Sequence, residues 1–281
     1  MLKEVVFTVD MHIHTNNSDG QYSTIEIVEM IKNIGIELFS ITDHDNINSY
    51  AELEKIQLPE KIKYIPGIEF SSINGIYNCH ILGYNIDYKN IDLIRECETI
   101  KQRRRKKIQI IINYLKDNKN IYFTNEQIEA LLNKKGTPGR YDLCRILMER
   151  GYGKKQEVYE KYLSNIPGVK THRSSAEEVI KVIKEANGIS ILAHPKEIEE
   201  DYNIEIENII EDFIEKGIDG IEVYNSIHDL KDVKRYLLLA KKYDLLITGG
   251  SDFHGISHPE RIIGTTTKEK IKIYSSNLKL H

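Results

Sequence analysis

Asp10-Met11-His12-Ile13-His14-Thr15-Asn16-Asn17-Ser18-Asp19-Gly20 reads as the end of a strand that runs into a turn. Val5, Val6, Phe7 and Val9 make a short apolar run before it, and His12 and His14, two residues apart, project from one side of an extended chain. Small polar residues, the Asp19 carboxylate and Gly20 follow, so the chain turns while still offering oxygen and nitrogen donors. Taken alone, the stretch fits a metal site and a polar strand end with incidental histidines equally well.

The same arrangement recurs further along. Ser23-Thr24-Ile25-Glu26 has the form of a capping box, Ile27, Val28, Met30, Ile31 and Ile34 follow at helical spacing, and Gly35 ends that helix. Leu38 to Thr42 is a compact strand that delivers Asp43-His44-Asp45. Ile62 to Ile65 leads to Pro66-Gly67-Ile68-Glu69, and the run from Cys79 to Tyr84 carries His80. After Gly168, Ser174-Ser175-Ala176-Glu177 opens a helix through Ala186, and Ile189 to Ala193 delivers His194-Pro195. A helix from about Ile204 to Lys216, a strand at Gly220 to Tyr224 with His228 beyond it, and a helix from Val233 to Tyr243 lead to Leu245-Leu246-Ile247-Thr248. That strand ends in Gly249-Gly250-Ser251-Asp252-Phe253-His254-Gly255.

Seven strand candidates alternating with helices imply an α/β fold of parallel strands joined by crossover helices. An open sheet concentrates its site at one switch point, whereas a barrel gathers residues from many strand ends around one centre. At least six strand ends carry candidate donors, which favours an irregular, seven-stranded (β/α) barrel. From 92 to 168 helical stripes dominate: Ile108, Ile111, Ile112 and Leu115 form one, and Leu143, Ile146 and Leu147 another. The expected organisation is barrel over 1–91, helical insertion over 92–168, and barrel again over 169–281. Within the insertion Lys101, Arg103, Arg104, Arg105, Lys106 and Lys107 make the densest positive charge, for which a solvated helix face is favoured over a phosphate-contact surface.

The bulk properties narrow the function. The 281 residues, 40% hydrophobic and 29% charged with six prolines, describe a globular chain, and a net charge of −4 excludes a strongly basic nucleic-acid binder. The first residues lack the length of a signal peptide and no eighteen apolar residues run together, so no membrane segment and a cytoplasmic location are expected. Cys79, Cys97 and Cys144 have no paired spacing, which fits reduced thiols.

Six of the ten histidines, His12, His14, His44, His80, His194 and His254, fall beside turn residues at expected strand ends, as do Asp19, Glu69 and Asp252. Nine mixed nitrogen and oxygen donors are too many for one tetrahedral zinc. They suit two or three divalent ions such as Mn, Fe or Zn. Ser18, Ser251 and Cys79 have no activating base at a recognisable spacing and are read as structural or turn residues.

Asp10-Met11-His12-Ile13-His14 with Ser18-Asp19-Gly20, Thr42-Asp43-His44-Asp45, Gly67-Ile68-Glu69, Ala193-His194-Pro195 and Gly250-Ser251-Asp252-Phe253-His254-Gly255 together resemble the PHP (polymerase and histidinol phosphatase) superfamily. Their order and spacing look most like its stand-alone, TrpH-like phosphoesterase branch. That resemblance implies a distorted (β/α)7 barrel with a helical insertion and a trinuclear site. One ion would be held by His12, His14, Glu69 and Asp252, a second by Glu69, His80 and His194, and a third by Asp19, His44 and His254. It implies hydrolysis of a phosphate monoester by a metal-bridging hydroxide, on nucleoside 3′,5′-bisphosphates or short RNA 5′ ends; the partner would be such a small phosphorylated substrate, not a DNA duplex. Histidinol phosphate phosphatase is the alternative within the class, and a non-catalytic metal-binding module that binds a partner is the alternative outside it. Arg140 matches an arginine of the branch's Arg-Pro-His motif, where Tyr141 and Asp142 here replace the other two residues and put a carboxylate at the histidine's position. His228 matches a histidine that contacts phosphate or protonates the leaving group, and Asp10 is expected to orient a histidine ring from behind.

Overall fold

The computed structural model describes residues 7–169 and 173–279, so Val5 and Val6 of the first expected strand lie outside the described residues. Among the described residues there are ten strands: β1 (Thr8–Ile13), β2 (Leu38–Ile41), β3 (Lys63–Tyr64), β4 (Gly67–Asn74), β5 (Tyr77–Tyr84), β6 (Ser174–Ser175), β7 (Ile189–Leu192), β8 (Gly220–Asn225), β9 (Leu246–Gly250) and β10 (Ile273–Tyr274). They form a four-stranded sheet, β10-β1-β2-β3, and a six-stranded sheet, β6-β4-β5-β7-β8-β9.

The edges of the two sheets meet at one rim. His14 N donates to Phe253 O at 3.0 Å and Asp252 N to His12 O at 2.8 Å, which joins β1 to the exit of β9. Asp45 N donates to Glu69 O at 2.9 Å and Glu69 N to Asp43 O at 3.3 Å, which joins the exit of β2 to β4. The strands β1, β2, β4, β5, β7, β8 and β9 therefore follow one another around a distorted barrel, closed at two places by isolated bridges instead of full ladders.

Two features depart from the sequence reading. β5 runs antiparallel to both neighbours, β4 and β7. The cause is local: only Gly75 and Ile76 separate β4 from β5, and a two-residue turn, with Gly75 at φ 60°, can join only antiparallel strands. The barrel position expected for Ile62 to Ile65 is taken by β4, while β3 is two residues long.

Helices pack their apolar stripes on the outside of the barrel. Ser23 and Glu26 form the expected capping box of the Thr24–Ile34 helix, and Gly35 closes it at φ 80°. Val179, Ile180 and Ile183 of the Ala176–Glu185 helix are buried in the barrel core. The long helix Ile91–Lys119 has 29 residues and belongs to two cores. Leu93, Cys97 and Ile100 pack with the barrel, whereas Ile108, Ile111, Ile112 and Leu115 pack with Leu143, Cys144, Leu147, Val158 and Leu163 of the following helices. Among the described residues no helix is long and apolar enough to cross a membrane.

Candidate metal centre

The nine expected donors converge inside the closed rim. His12 Nε2, His14 Nε2, Glu69 Oε2 and Asp252 Oδ1 form a buried group: the two nitrogens are 3.1 Å apart, Glu69 lies 3.3 and 3.2 Å from them, and Asp252 3.4 and 3.1 Å. The other Glu69 oxygen, Oε1, lies 3.1 Å from His80 Nδ1 and 2.9 Å from His194 Nε2, and those nitrogens are 3.3 Å apart. Asp19 lies 3.3 Å from His254 Nε2 and 3.9 Å from His44 Nε2, with His14 Nδ1 also 3.9 Å away. Glu69 joins all three groups, since Oε2 is in addition 3.0 Å from His44 Nδ1.

Local backbone explains how these residues reach one point. His194, Asp252 and Asp45 hold positive φ angles of 22°, 53° and 51°, strained for residues with a Cβ, at the exits of β7, β9 and β2. Gly250 permits the close passage of β9 beside β1, because a Cβ there would sit 2.3 Å from His12 N. Glu69 and His80 are not at strand ends as expected. They lie within the β4–β5 hairpin, where Ser71 pairs with His80, and the reversal of β5 turns its N-terminal half toward the same rim.

The charges explain why such a cluster attracts cations. Burial opposes ionisation of Glu69, but the facing rings of His44, His12 and His80 outweigh it and hold the carboxyl well below the usual range. For Asp252 burial is likewise outweighed, chiefly by Arg261, and for Asp19 by His254 and His44. Burial drives the His44 imidazole down to about 3 even against the pull of Glu69 and Asp19, so one of its ring nitrogens keeps a free lone pair. His14 moves the other way, to about 9: burial is overcome by Asp252 and Glu69, which demand positive charge here. Glu69 Oε2, Asp19 Oδ1 and His44 Nδ1 are buried without a hydrogen-bond partner. Oxygen and imidazole donors left unpaired at these spacings fit divalent transition ions.

Several surrounding residues have no motif in the sequence. Asp10, expected behind a ring, instead accepts the backbone N–H groups of Ser251 at 2.9 Å and Gly264 at 2.7 Å, and burial raises its carboxyl to about 6. The ring of His12 leans on Glu222, with Nδ1 2.9 Å from Oε1. Glu222 shows in the sequence only as a lone acid inside the apolar run Ile221 to Val223. His194 Nδ1 lies 3.1 Å from Glu197, one turn along the helix Pro195–Tyr202, and Arg261 pairs with Asp252. Asp43 accepts Ser18 Oγ at 2.6 Å and Thr15 N at 2.7 Å, which makes Ser18 part of the turn.

The basic run is not simply a solvated face. Arg103, Arg104, Lys106 and Lys107 form one wall of a cleft of about 410 Å³ that Arg140 and Arg173 also line. The cleft borders the metal centre at Asp45 and Ser71, both bonded by Arg104. A second cleft of about 270 Å³ shares Arg173 and reaches His80, His194 and Glu197. Asp142 does not face either cleft. Its Oδ2 accepts Gly139 N at 2.8 Å and its Oδ1 pairs with Lys134 at 2.8 Å, so it caps its own helix. His228 is fully buried, with Nδ1 2.8 Å from Val223 O and Nε2 unpartnered, and burial lowers it to about 4.

A barrel of this topology around clustered histidines and carboxylates is the setting of a metal-dependent hydrolase, and the chain belongs to the PHP domain family, whose model matches residues 10–226. Among its relatives is the 3′,5′-nucleoside bisphosphate phosphatase of Chromobacterium violaceum, 27% identical over 277 residues that cover 92% of this chain and 91% of that protein. The 5′-3′ exoribonuclease Rnm of Escherichia coli is 28% identical over 255 residues, 87% of this chain and 84% of that one. A phosphoribosyl 1,2-cyclic phosphate 1,2-diphosphodiesterase of Eggerthella lenta is 25% identical and covers 88% of this chain and 94% of its own. A solved amidohydrolase from Chromobacterium violaceum with bound sulfate superposes with a TM-score of 0.79 at 28% identity, over 92% of this chain and 90% of that one. A Bifidobacterium adolescentis structure shares the fold at a TM-score of 0.82 and 24% identity, over 92% and 91%. The chain is a hydrolase of phosphoric ester bonds.

Proposed function

We propose that the substrate is a nucleotide bearing two phosphates, a nucleoside 3′,5′-bisphosphate or the 5′ end of a short RNA, hydrolysed at one phosphate monoester. The observation that supports this reading is the cationic cleft beside the nine-donor centre. One phosphate would lie over the metal centre and the other among Arg104, Lys107 and Arg140, a pairing that charge-assisted hydrogen bonds favour. At about 410 Å³ the cleft is in the size range of sites for small organic ligands. The names of the bisphosphatase and exoribonuclease relatives agree with such substrates. Histidinol phosphate has no second phosphate and would leave most of those cations unpaired.

In this reading two or three divalent ions, Mn, Fe or Zn, are held by His12, His14, Asp19, His44, Glu69, His80, His194, Asp252 and His254. When bound, they supply Lewis-acid charge for the phosphoryl oxygens and a water of lowered pKa. The protein's own residues orient the substrate. Arg140 and the helix residues Arg104 and Lys107 fix the distal phosphate, and Arg173 stands where the two clefts join. His228 is buried, with its ring held at Nδ1 by Val223 O and its Nε2 unpartnered, so in this reading it stands behind the substrate-contacting cations. The segment 92–168 acts as the recognition module of the barrel, and the cytoplasm is the compartment that suits three free, buried cysteines.

The test is a panel of nucleoside bisphosphates, short 5′-phosphorylated RNAs, nucleoside monophosphates and histidinol phosphate, run with Mn²⁺ beside a metal count per chain. Two to three ions and preference for doubly phosphorylated nucleotides are expected, with His194→Ala inactive. Fewer than one ion per chain, or equal turnover of histidinol phosphate, overturns the reading.

A further inference from the structure

Glu222 is a carboxylate with no exposure, and donors from two different ligand groups lean on it. Its Oε1 lies 2.9 Å from His12 Nδ1, while Oε2 accepts the backbone N–H of His194 at 2.8 Å and Asn225 Nδ2 at 3.0 Å. Among the described residues its one ion-pair partner is His12; no lysine or arginine pairs with it. A buried carboxylate without a cation is strongly disfavoured unless the site it serves supplies positive charge. Its placement also matters. In the barrel order, β8 and β9 lie between β7, which delivers His194, and β1, which carries His12, so one side chain ties together donors from strands that are not neighbours.

We propose that Glu222 is the positioning residue that couples two of the ion shells. On one side it keeps the proton of His12 on Nδ1 and so leaves Nε2 as a donor within the group that includes His14, Glu69 and Asp252. On the other it fixes the backbone of His194, held at φ 22°, so that Nε2 stays within the group that includes His80 and Glu69. Glu69 already belongs to both groups, and Glu222 gives them a second link from beneath. The two ions are then retained or lost together. The inference rests on the metal reading above.

Glu222→Gln tests it, because the amide has the same shape but only one acceptor oxygen. His12 Nδ1–H, His194 N–H and the Asn225 amide cannot all be satisfied, and the balancing charge is gone. The expected variant folds, melts metal-free within a few degrees of the parent, and surrenders its ions to a competing chelator roughly 10–100-fold more readily, in one step. Unchanged chelator resistance, or loss of one ion with the other retained, overturns the proposal. Should the variant fail to fold, the zinc-loaded parent decides by nitrogen NMR of its histidine rings. His12 protonated at Nδ1 and metallated at Nε2 is required, and any other pattern overturns it. A parent that binds less than one ion overturns the metal reading and this inference together. A parent that binds ions and a Glu222→Gln protein that matches it overturn this one alone.

Discussion

Lys107 faces Arg140, Arg104 and Arg173, and burial together with those charges lowers its ammonium to about 7. Below that value Lys107 is charged and adds a donor for an anion; as pH rises through it, the charge is lost. The KM for a doubly phosphorylated nucleotide should therefore rise between about pH 6 and about pH 8, by roughly tenfold if one charged hydrogen bond is at stake. A monophosphate shares the ionisation of the reacting phosphate but not the distal contact, so its KM should follow a flatter course, as should that of Lys107→Met. Steady-state kinetics across the pH range check this, and identical profiles for both substrates would contradict the assigned phosphate. At this scale most of the candidate donors were legible, because His12, His14, His44, His194, Asp252 and His254 stand near turn residues after an apolar run, whereas Glu69 and His80 lie within a hairpin that the sequence pattern did not reveal. Glu222 and Glu197 were not legible, since a single acid within a strand or a helix turn carries no periodic signal. The part played by the basic run depended on which way helix residues 103 to 107 face, and periodicity does not decide that for a helix charged nearly all round.

The 29-residue helix Ile91–Lys119, roughly 44 Å long at 1.5 Å per residue, is a shared beam between the barrel and the insertion. Its two halves obey different cores, so damage in the insertion should travel to the cleft but not to the metal donors. Ile111, with no exposure, lies in the insertion core. Ile111→Ala should cost about 2–5 kcal/mol of stability in denaturant titration and raise the KM for the distal phosphate, with the metal count unchanged. Loss of ions in this variant would mean that the helix transmits more than its packing suggests. The apolar stripe on this helix and the capping box of the Thr24–Ile34 helix were readable from the sequence, because side chains at i, i+3 and i+4 fix both. β4 was not readable. Both its faces are buried, with Glu69 and Ser71 on one and Ser72 on the other, polar residues that look like a loop until the partners that satisfy them are known.

Across the whole molecule, the barrel is made of two sheets that meet at two seams, each held by isolated backbone bridges. Across one seam stand His12 and His14 on the first sheet against Asp252 and His254 on the other, and across the second stands His44 against Glu69. The shape of the chain and the chemistry of its centre therefore share the same few contacts. Removal of ions with a chelator should raise amide hydrogen exchange at His14 and Asp252 on one seam and at Asp45 and Glu69 on the other, while the amides of β5 and β7, deep in a continuous ladder, keep their protection. Equal loss of protection everywhere would show that the seams are no weaker than the sheets. The hydrogen-bonded ladders build two half-shells, and ions held among the donors at the seams would buckle them together. A chain deprived of metal should then fail first as a container, its rim gaping at both joints, before its individual half-shells come apart.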